Sequence, residues 1–143
     1  MTKSILCALD MSQARPDDRT LMVAADMARH YGARLDVVTV IPDFGVGEVS
    51  SYFPSGFQDK ARAKAIEALT AHVGEVLGDE ANRDIRHEVA VGRVYDEVLR
   101  VAEDAGSDLI VVGSHDPGLR DYLIGSNASR IVRHAPCSVY VVR

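Results

Sequence analysis

Residues 108–112 read DLIVV and stop at Gly113. A β-branched and leucine run this short, with no polar alternation, suits a strand covered by helices on both faces. A turn-rich segment follows (Ser114, His115, Asp116, Pro117, Gly118). Gly125, Ser126 and Asn127 then precede a short helix, roughly 128–134, that stops before Pro136. A strand end, small residues and a new helix start form an anion site, because the first N–H groups of a helix lack intrahelical acceptors and carry the positive end of its dipole. The same residues also suit a plainly capped helix start, with Ser126 or Asn127 as N-cap.

The rest of the chain repeats this strand-then-helix rhythm. SILCAL at 4–9 ends at Asp10, and Pro16, Asp17 and Asp18 make a good first turn for a helix to Tyr31. Its apolar face is Leu21, Ala24, Ala25, Ala28 and Tyr31, and Gly32 is its C-cap. LDVVTVI at 35–41 is a second strand ended by Pro42. Residues 43–57 hold four further glycines and prolines but also Phe44, Tyr52 and Phe53. So long a segment without regular structure reads as a flap or a partner contact. The helix over 60–77 carries Ile66, Leu69, Val73, Val76 and Leu77 inward, and Lys60, Arg62, Lys64 and Glu67 outward. Gly78, Asp79 and Asn82 form its exit. IRHEVAV at 85–91 begins with alternating character, as an edge strand does. A helix over 94–105 ends at Gly106, and SVYVV at 138–142 is a terminal hydrophobic strand. Strands alternating with helices imply right-handed βαβ units and a parallel sheet.

A length of 143 residues fits one domain, 1–143, with an adequate core. No apolar run is long enough to span a bilayer, and the opening MTKSILCALD lacks signal-peptide shape, so a cytoplasmic protein is expected. Cys7 and Cys137 fall in expected strands and read as small core residues. The formal charge of −5, with signs interspersed, argues against general nucleic-acid or anionic-membrane binding.

GSH at 113–115, LIGSNAS at 123–129, RHAPCSVYVVR at 133–143 and ILCALD at 5–10 together resemble the universal stress protein family, over the whole chain. The resemblance implies a dimeric Rossmann-like α/β domain of the adenine-nucleotide α-hydrolase-like type, with five parallel strands in the order 3-2-1-4-5. Many members bind ATP through Gly, two residues, Gly, nine residues, Gly and Ser or Thr. Gly113, Gly125 and Ser126 take three of those places. Asp116 stands at the second glycine, and the interval to Gly125 is one residue short. His115, Pro117 and residues 123–128 resemble a subgroup carrying SHxP and LLGSNA.

That strand order brings Asp10, Val40 and the Gly113 loop to one crevice, where topology reverses between strands one and four. The implied site has Ala8 and Val38 as walls for a base, and Val40 reading the adenine edge through its main chain. By correspondence Val112, Gly113, His115, Gly125, Ser126 and Asn127 complete it. Gly113 and Gly125 allow close approach, while Ser126, Asn127 and helix amides donate. Asp10 accepts from a ribose hydroxyl or the adenine amino group, backs a Mg²⁺, or caps the loop after strand one. His115 donates to a phosphate or caps its turn. Asp116 repels phosphate by about 1 kcal/mol at 4 Å in water, unless it turns outward, pairs with Arg120 or holds the metal. Arg130 and Arg133 complement the helix terminus or the sheet edge.

Other doubly wound families ask for what this chain lacks: a receiver's acids and lysine, a flavodoxin's hydroxyl-rich first loop, an HxGH, or an opening GxGxxG. No nucleophile has an adjacent base and orienter, so the expected activity is at most slow ATP hydrolysis or self-phosphorylation. Two functions remain: an ATP-binding regulator, or a dimeric interaction protein that keeps the fold without the nucleotide. An unprotected edge at 138–142 invites antiparallel pairing of two copies, and with it a homodimer.

Overall fold

The computed structural model describes residues 2–12, 18–114 and 124–143, the side chains of 48 and 49 excepted. The elements in order are β1 (Ser4–Ala8), α1 (Asp18–Tyr31), β2 (Arg34–Ile41), a 3-10 helix (Gly47–Tyr52), α2 (Phe57–Leu77), α3 (Asp79–Arg83), β3 (Arg86–Val91), α4 (Val94–Ala105), β4 (Leu109–Gly113), α5 (Ser126–His134) and β5 (Ser138–Val142). The five strands form one parallel sheet in the order β3-β2-β1-β4-β5, as the sequence implied. Gly32 and Gly106, at φ 62° and 67°, close α1 and α4 in the left-handed conformation expected of them.

Successive residues of a strand face opposite sides, which explains the absence of polar alternation. Ile5, Cys7, Val37 and Val111 meet Leu21 and Ala24 of α1 and Leu69 and Val73 of α2. Leu6, Val38, Ile110 and Val112 meet Val98 and Val101 of α4 and Ala128 and Ile131 of α5. Strand β1, paired on both sides and covered on both faces, is the centre of both cores. Cys7 is fully buried within it, and Cys137 lies half-buried one residue before β5; neither forms a disulfide. Burial, reinforced by Asp108, pushes the Cys137 thiol pKa above its ordinary value.

Several expectations need correction. Tyr31 is exposed, stacking edge-on against His30 rather than joining the core of α1. Only Leu69 and Val73 of α2 are buried, with Val76 and Leu77 partly covered and Ile66 intermediate. Arg62, placed on the wet face, donates to Val89 O at 3.0 Å and ties α2 to the edge strand β3. The exit after α2 is itself a short helix. Its Asn82 donates to Thr70 O (3.0 Å) and meets His87 Nε2 (2.6 Å), and burial holds the His87 pKa below the usual histidine value.

Residues 43–57 are not structureless either. Phe44, Phe53 and Phe57 pack on one another with ring centroids 4.5–5.0 Å apart. Gln58 Oε1 accepts from the Phe44 N–H at 2.6 Å, and its Nε2 donates to Pro42 O at 3.2 Å. The segment therefore carries a small core of its own, and α2 begins three residues earlier than periodicity indicated. Tyr52, at 81% exposure, is the aromatic that projects.

A polar clamp fastens the other end of the sheet. Arg34 Nη2 donates to Ser4 Oγ (3.0 Å) and Ala105 O (2.7 Å) and lies 3.3 Å from Asp36 Oδ2. The Asp36 side chain is only 4% exposed and among the described residues accepts no hydrogen bond, so Arg34 is the charge beside it that compensates it. Arg34→Ala is therefore expected to cost about 2 kcal/mol. The readout is a lower urea midpoint at unchanged slope; an unaltered midpoint would show that the clamp contributes nothing.

Candidate functional site

At the carboxyl ends of the strands a crevice of about 900 Å³ opens between the two helical layers. Ala8, Val38 and Val112 form its floor, α4 supplies Val94 and Val98, and α5 supplies Asn127, Ala128 and Ile131. A volume of this size suits a small-molecule ligand. It lies where β1 and β4 are neighbours and their chains lead to helices on opposite faces, the position at which open α/β sheets bind ligands.

The main chain explains what this end of the sheet offers. The ladder between β1 and β2 finishes with the Leu9 N–H donating to Val38 O at 2.9 Å. On the other side of β2, Ile41 O accepts from the Gly92 N–H at 3.0 Å. Because N–H and C=O of one residue point the same way in a strand, and alternate along it, Val40 presents both toward β1 just past the last rung. Among the described residues neither group is bonded to β1, and Val40 lines the crevice.

The opposite side is the start of α5. Val142 O accepts from the Ser114 N–H (2.8 Å), and Ser114 O accepts from the Gly125 N–H (3.0 Å), so β4, β5 and the helix start are held together. Gly125 is the N-cap residue, with no side chain capping the helix, and its carbonyl receives the Ser129 N–H at 2.9 Å. The capping role offered to Ser126 or Asn127 is thus corrected: both lie inside the first turn. The amides of 126–128 have no intrahelical acceptor.

Of the nine site residues named from sequence, Ala8, Asp10, Val40, Val112, Gly113, Gly125 and Asn127 line the crevice. Ser126 is exposed and outside the lining, and His115, like Asp116 and Arg120, falls outside the described residues. Asp10 Oδ1 accepts from the Ser12 N–H (2.9 Å) and Oγ (2.5 Å), so it caps its loop while standing on the rim. Arg130, expected at a helix terminus or sheet edge, instead stacks on Tyr95 of α4 at 4.9 Å from the ring centroid.

Sequence reading missed Arg19 and Thr20 of α1, residues 41–42, the β3–α4 turn at 92–94 and Arg143, all of which line the crevice. The strand order contained the signal, since it puts the ends of β3 and β5 on the same rim as those of β1 and β4. Among the described residues no group of three His, Cys, Asp or Glu is placed to hold a metal ion.

The fold and the crevice define a doubly wound α/β protein with an open crevice at its switch point. More particularly, the chain belongs to the universal stress protein family, whose model matches residues 1–143. It is 32% identical over 147 residues to universal stress protein G of Shigella flexneri, with all of both chains covered. Among solved structures it is similar to universal stress protein UspA from Lactobacillus plantarum, at 24% identity and TM-score 0.71 over 99% of this chain and 98% of that one. A universal stress protein solved in complex with cAMP gives TM-score 0.72 at 20% identity, over 99% and 97% of the two chains.

Gly92 shapes the β3–α4 part of the rim. Its φ of 141° is rarely adopted by other residues, and a Cβ there would stand 3.2 Å from Glu97 Cγ. Gly92→Ala is expected to lower stability by about 1 to 2 kcal/mol, seen as a reduced thermal midpoint. A midpoint equal to that of the parent protein would refute the strain.

Proposed function

We propose that this chain is an adenine-nucleotide-binding regulator, one domain over 1–143, with ATP as its ligand. The observation that carries this reading is the pairing, across one crevice, of the Val40 main-chain donor and acceptor, which among the described residues are not bonded to β1, with the first-turn amides of α5. The first matches the Watson–Crick edge of adenine; the second suits a phosphate. That a relative of the same fold was solved with cAMP supports the ligand class. Asp10 then serves the ribose or adenine amino group, or stands behind a magnesium ion arriving with the triphosphate. His115 and Ser126 belong to the proposed phosphate end through the resemblance of 113–115 and 123–129 to the SHxP and LLGSNA subgroup.

In this reading nucleotide occupancy changes the surface presented by 43–57 and 113–125 to an unknown protein partner. Turnover is slow at most, and the protein works in the cytoplasm. No helix among the described residues is long and apolar enough to cross a membrane. The test is a titration of purified protein with ATP and GTP. Saturable ATP binding is expected, abolished in Gly113→Val and at least about tenfold weaker for GTP, whose base presents the reversed donor and acceptor pattern to Val40. No binding at millimolar ATP sinks this reading and favours the interaction protein that merely keeps the fold.

The proposal includes a homodimer through β5. That strand pairs with β4 on one side only, and Tyr140 on it and Val132 on α5 are half-exposed. Two copies related by a twofold axis would complete each other's edge. Sedimentation equilibrium at micromolar concentration is expected to give twice the chain mass of 15.5 kDa; a single-chain mass would remove the dimer.

A further inference from the structure

The sheet has two edges, and they are finished differently. Strand β5 pairs only with β4, and β3 only with β2. Because main-chain direction alternates along a strand, the bonds to β2 fix which groups of β3 look outward. The Gly92 N–H donates to Ile41 O, so Ala90 and Glu88 also turn their main chains to β2, and those of His87, Val89 and Val91 face away from it. In the same way Val142 O accepts from the Ser114 N–H, which turns the main chains of Val139 and Val141 outward on β5.

Val89 is the middle of the three outward residues of β3, and its carbonyl is already engaged: Arg62 of α2 donates to it at 3.0 Å. Around this bond lies a groove of about 420 Å³, bordered by Asp59, Ala63 and Ile66 of α2 and by His87 and Glu88 of β3. The space beside β3 is therefore open, while its central acceptor is held by one guanidinium. Among the described residues no side chain is bonded to the main chain of Val139 or Val141 in this way, so β5 lacks the corresponding cover.

The two edges have matching polarity. Strand β5 of one copy, laid parallel along β3 of another, would continue both sheets; that contact joins unlike surfaces, leaves a β3 and a β5 at the two ends, and grows without closing. Two β5 strands meeting antiparallel close at a pair. We propose that Arg62 guards β3 against the β5 edge of a second copy of this chain, so that self-association is confined to β5. A strand entering beside β3 must give an N–H to Val89 O, and there it meets a cation that offers donors only. It has to displace a charge-assisted hydrogen bond before its own can form. The destination of association rests on the β5 dimer read above; the guard on β3 does not.

The experiment is sedimentation equilibrium of the full chain across the micromolar range, with circular dichroism on the same samples. Arg62→Met keeps the stem and removes the donors, Arg62→Lys restores a cation, and Lys64→Met removes one charge from an exposed position of the same helix. The parent protein and Lys64→Met should not exceed the mass of a pair. Arg62→Met should reach a weight-average mass at least about twofold above the parent's, rising with concentration and reversed by dilution, as an open series does. Arg62→Lys should lie between. Adding Val139→Pro to Arg62→Met removes an outward N–H of β5 without touching its ladder to β4, and should return the mass to that of a single chain. Tyr140→Lys, which puts a charge on the same edge, should suppress growth as well.

Arg62→Met with the parent's mass at every concentration overturns the guard. So does equal growth in Lys64→Met, and so does growth that persists in both β5 variants, since β5 is then not what enters beside β3. Irreversible aggregation with loss of the folded spectrum also overturns it, because Arg62 then acts on the fold alone. A parent protein found as a single chain removes the β5 dimer and leaves the guard standing if Arg62→Met still grows. Should Val139→Pro fail to fold, Tyr140→Lys decides by the same criteria.

Discussion

The structure depends on burying a parallel sheet on both faces. Because β1 is hydrogen-bonded to β2 and β4 and covered above and below, the connections leaving it and its neighbour must diverge: α1 goes to one face and α5 to the other. No crossover can close the gap between them at the carboxyl end. The crevice is a consequence of that divergence. Ending β1 at Ala8 while β2 continues to Ile41 leaves the Val40 main chain beyond the ladder, and starting α5 beside the end of β4 leaves its amides there too. Neither feature requires a specialised side chain, so each can persist while the residues around it change.

This origin also explains which parts could be read from the sequence. Runs such as SILCAL, LDVVTVI and DLIVV announce buried strands because both faces need apolar residues, and the strand order of the resembling family then places Asp10, Val40 and Gly113 on one rim. What failed was whatever depended on a contact chosen by tertiary packing. Phe44, Phe53 and Phe57 share no helical or strand period, yet they bury one another. Arg62 has the spacing of a solvated residue but finds a free carbonyl on the edge strand. Tyr31 has the spacing of a core residue but lies at the end of α1, where no second layer reaches it. Ser126 looks like a cap because hydroxyls generally cap; here Gly125 takes that position and, among the described residues, no side chain caps the helix.

Net charge was the coarsest of these signals. An acidic total argues against binding extended polyanions, since such ligands sample the whole surface. A compact ligand inside a crevice responds to charges within about 8 Å at physiological salt. Arg19, Arg93, Arg143 and Asp10 line the crevice, and charges elsewhere on the surface are largely screened there. An acidic total is therefore compatible with a compact anionic ligand in the crevice.

The two ends of the crevice are also mechanically joined. The Tyr95 ring lies between Arg93 of the β3–α4 turn and Arg130 of α5, at 6.0 and 4.9 Å. Each such contact contributes about 0.5 to 1 kcal/mol at an exposed site, too little to hold the fold but enough to couple two elements already in contact. A ligand that engages Val40 beside Arg93 and the α5 amides together would draw on that coupling. Helix α5 carries the half-exposed Val132 and leads directly into β5 with its half-exposed Tyr140. The placement of α5 against α4 and that of the sheet edge are thus linked through one continuous stretch of chain.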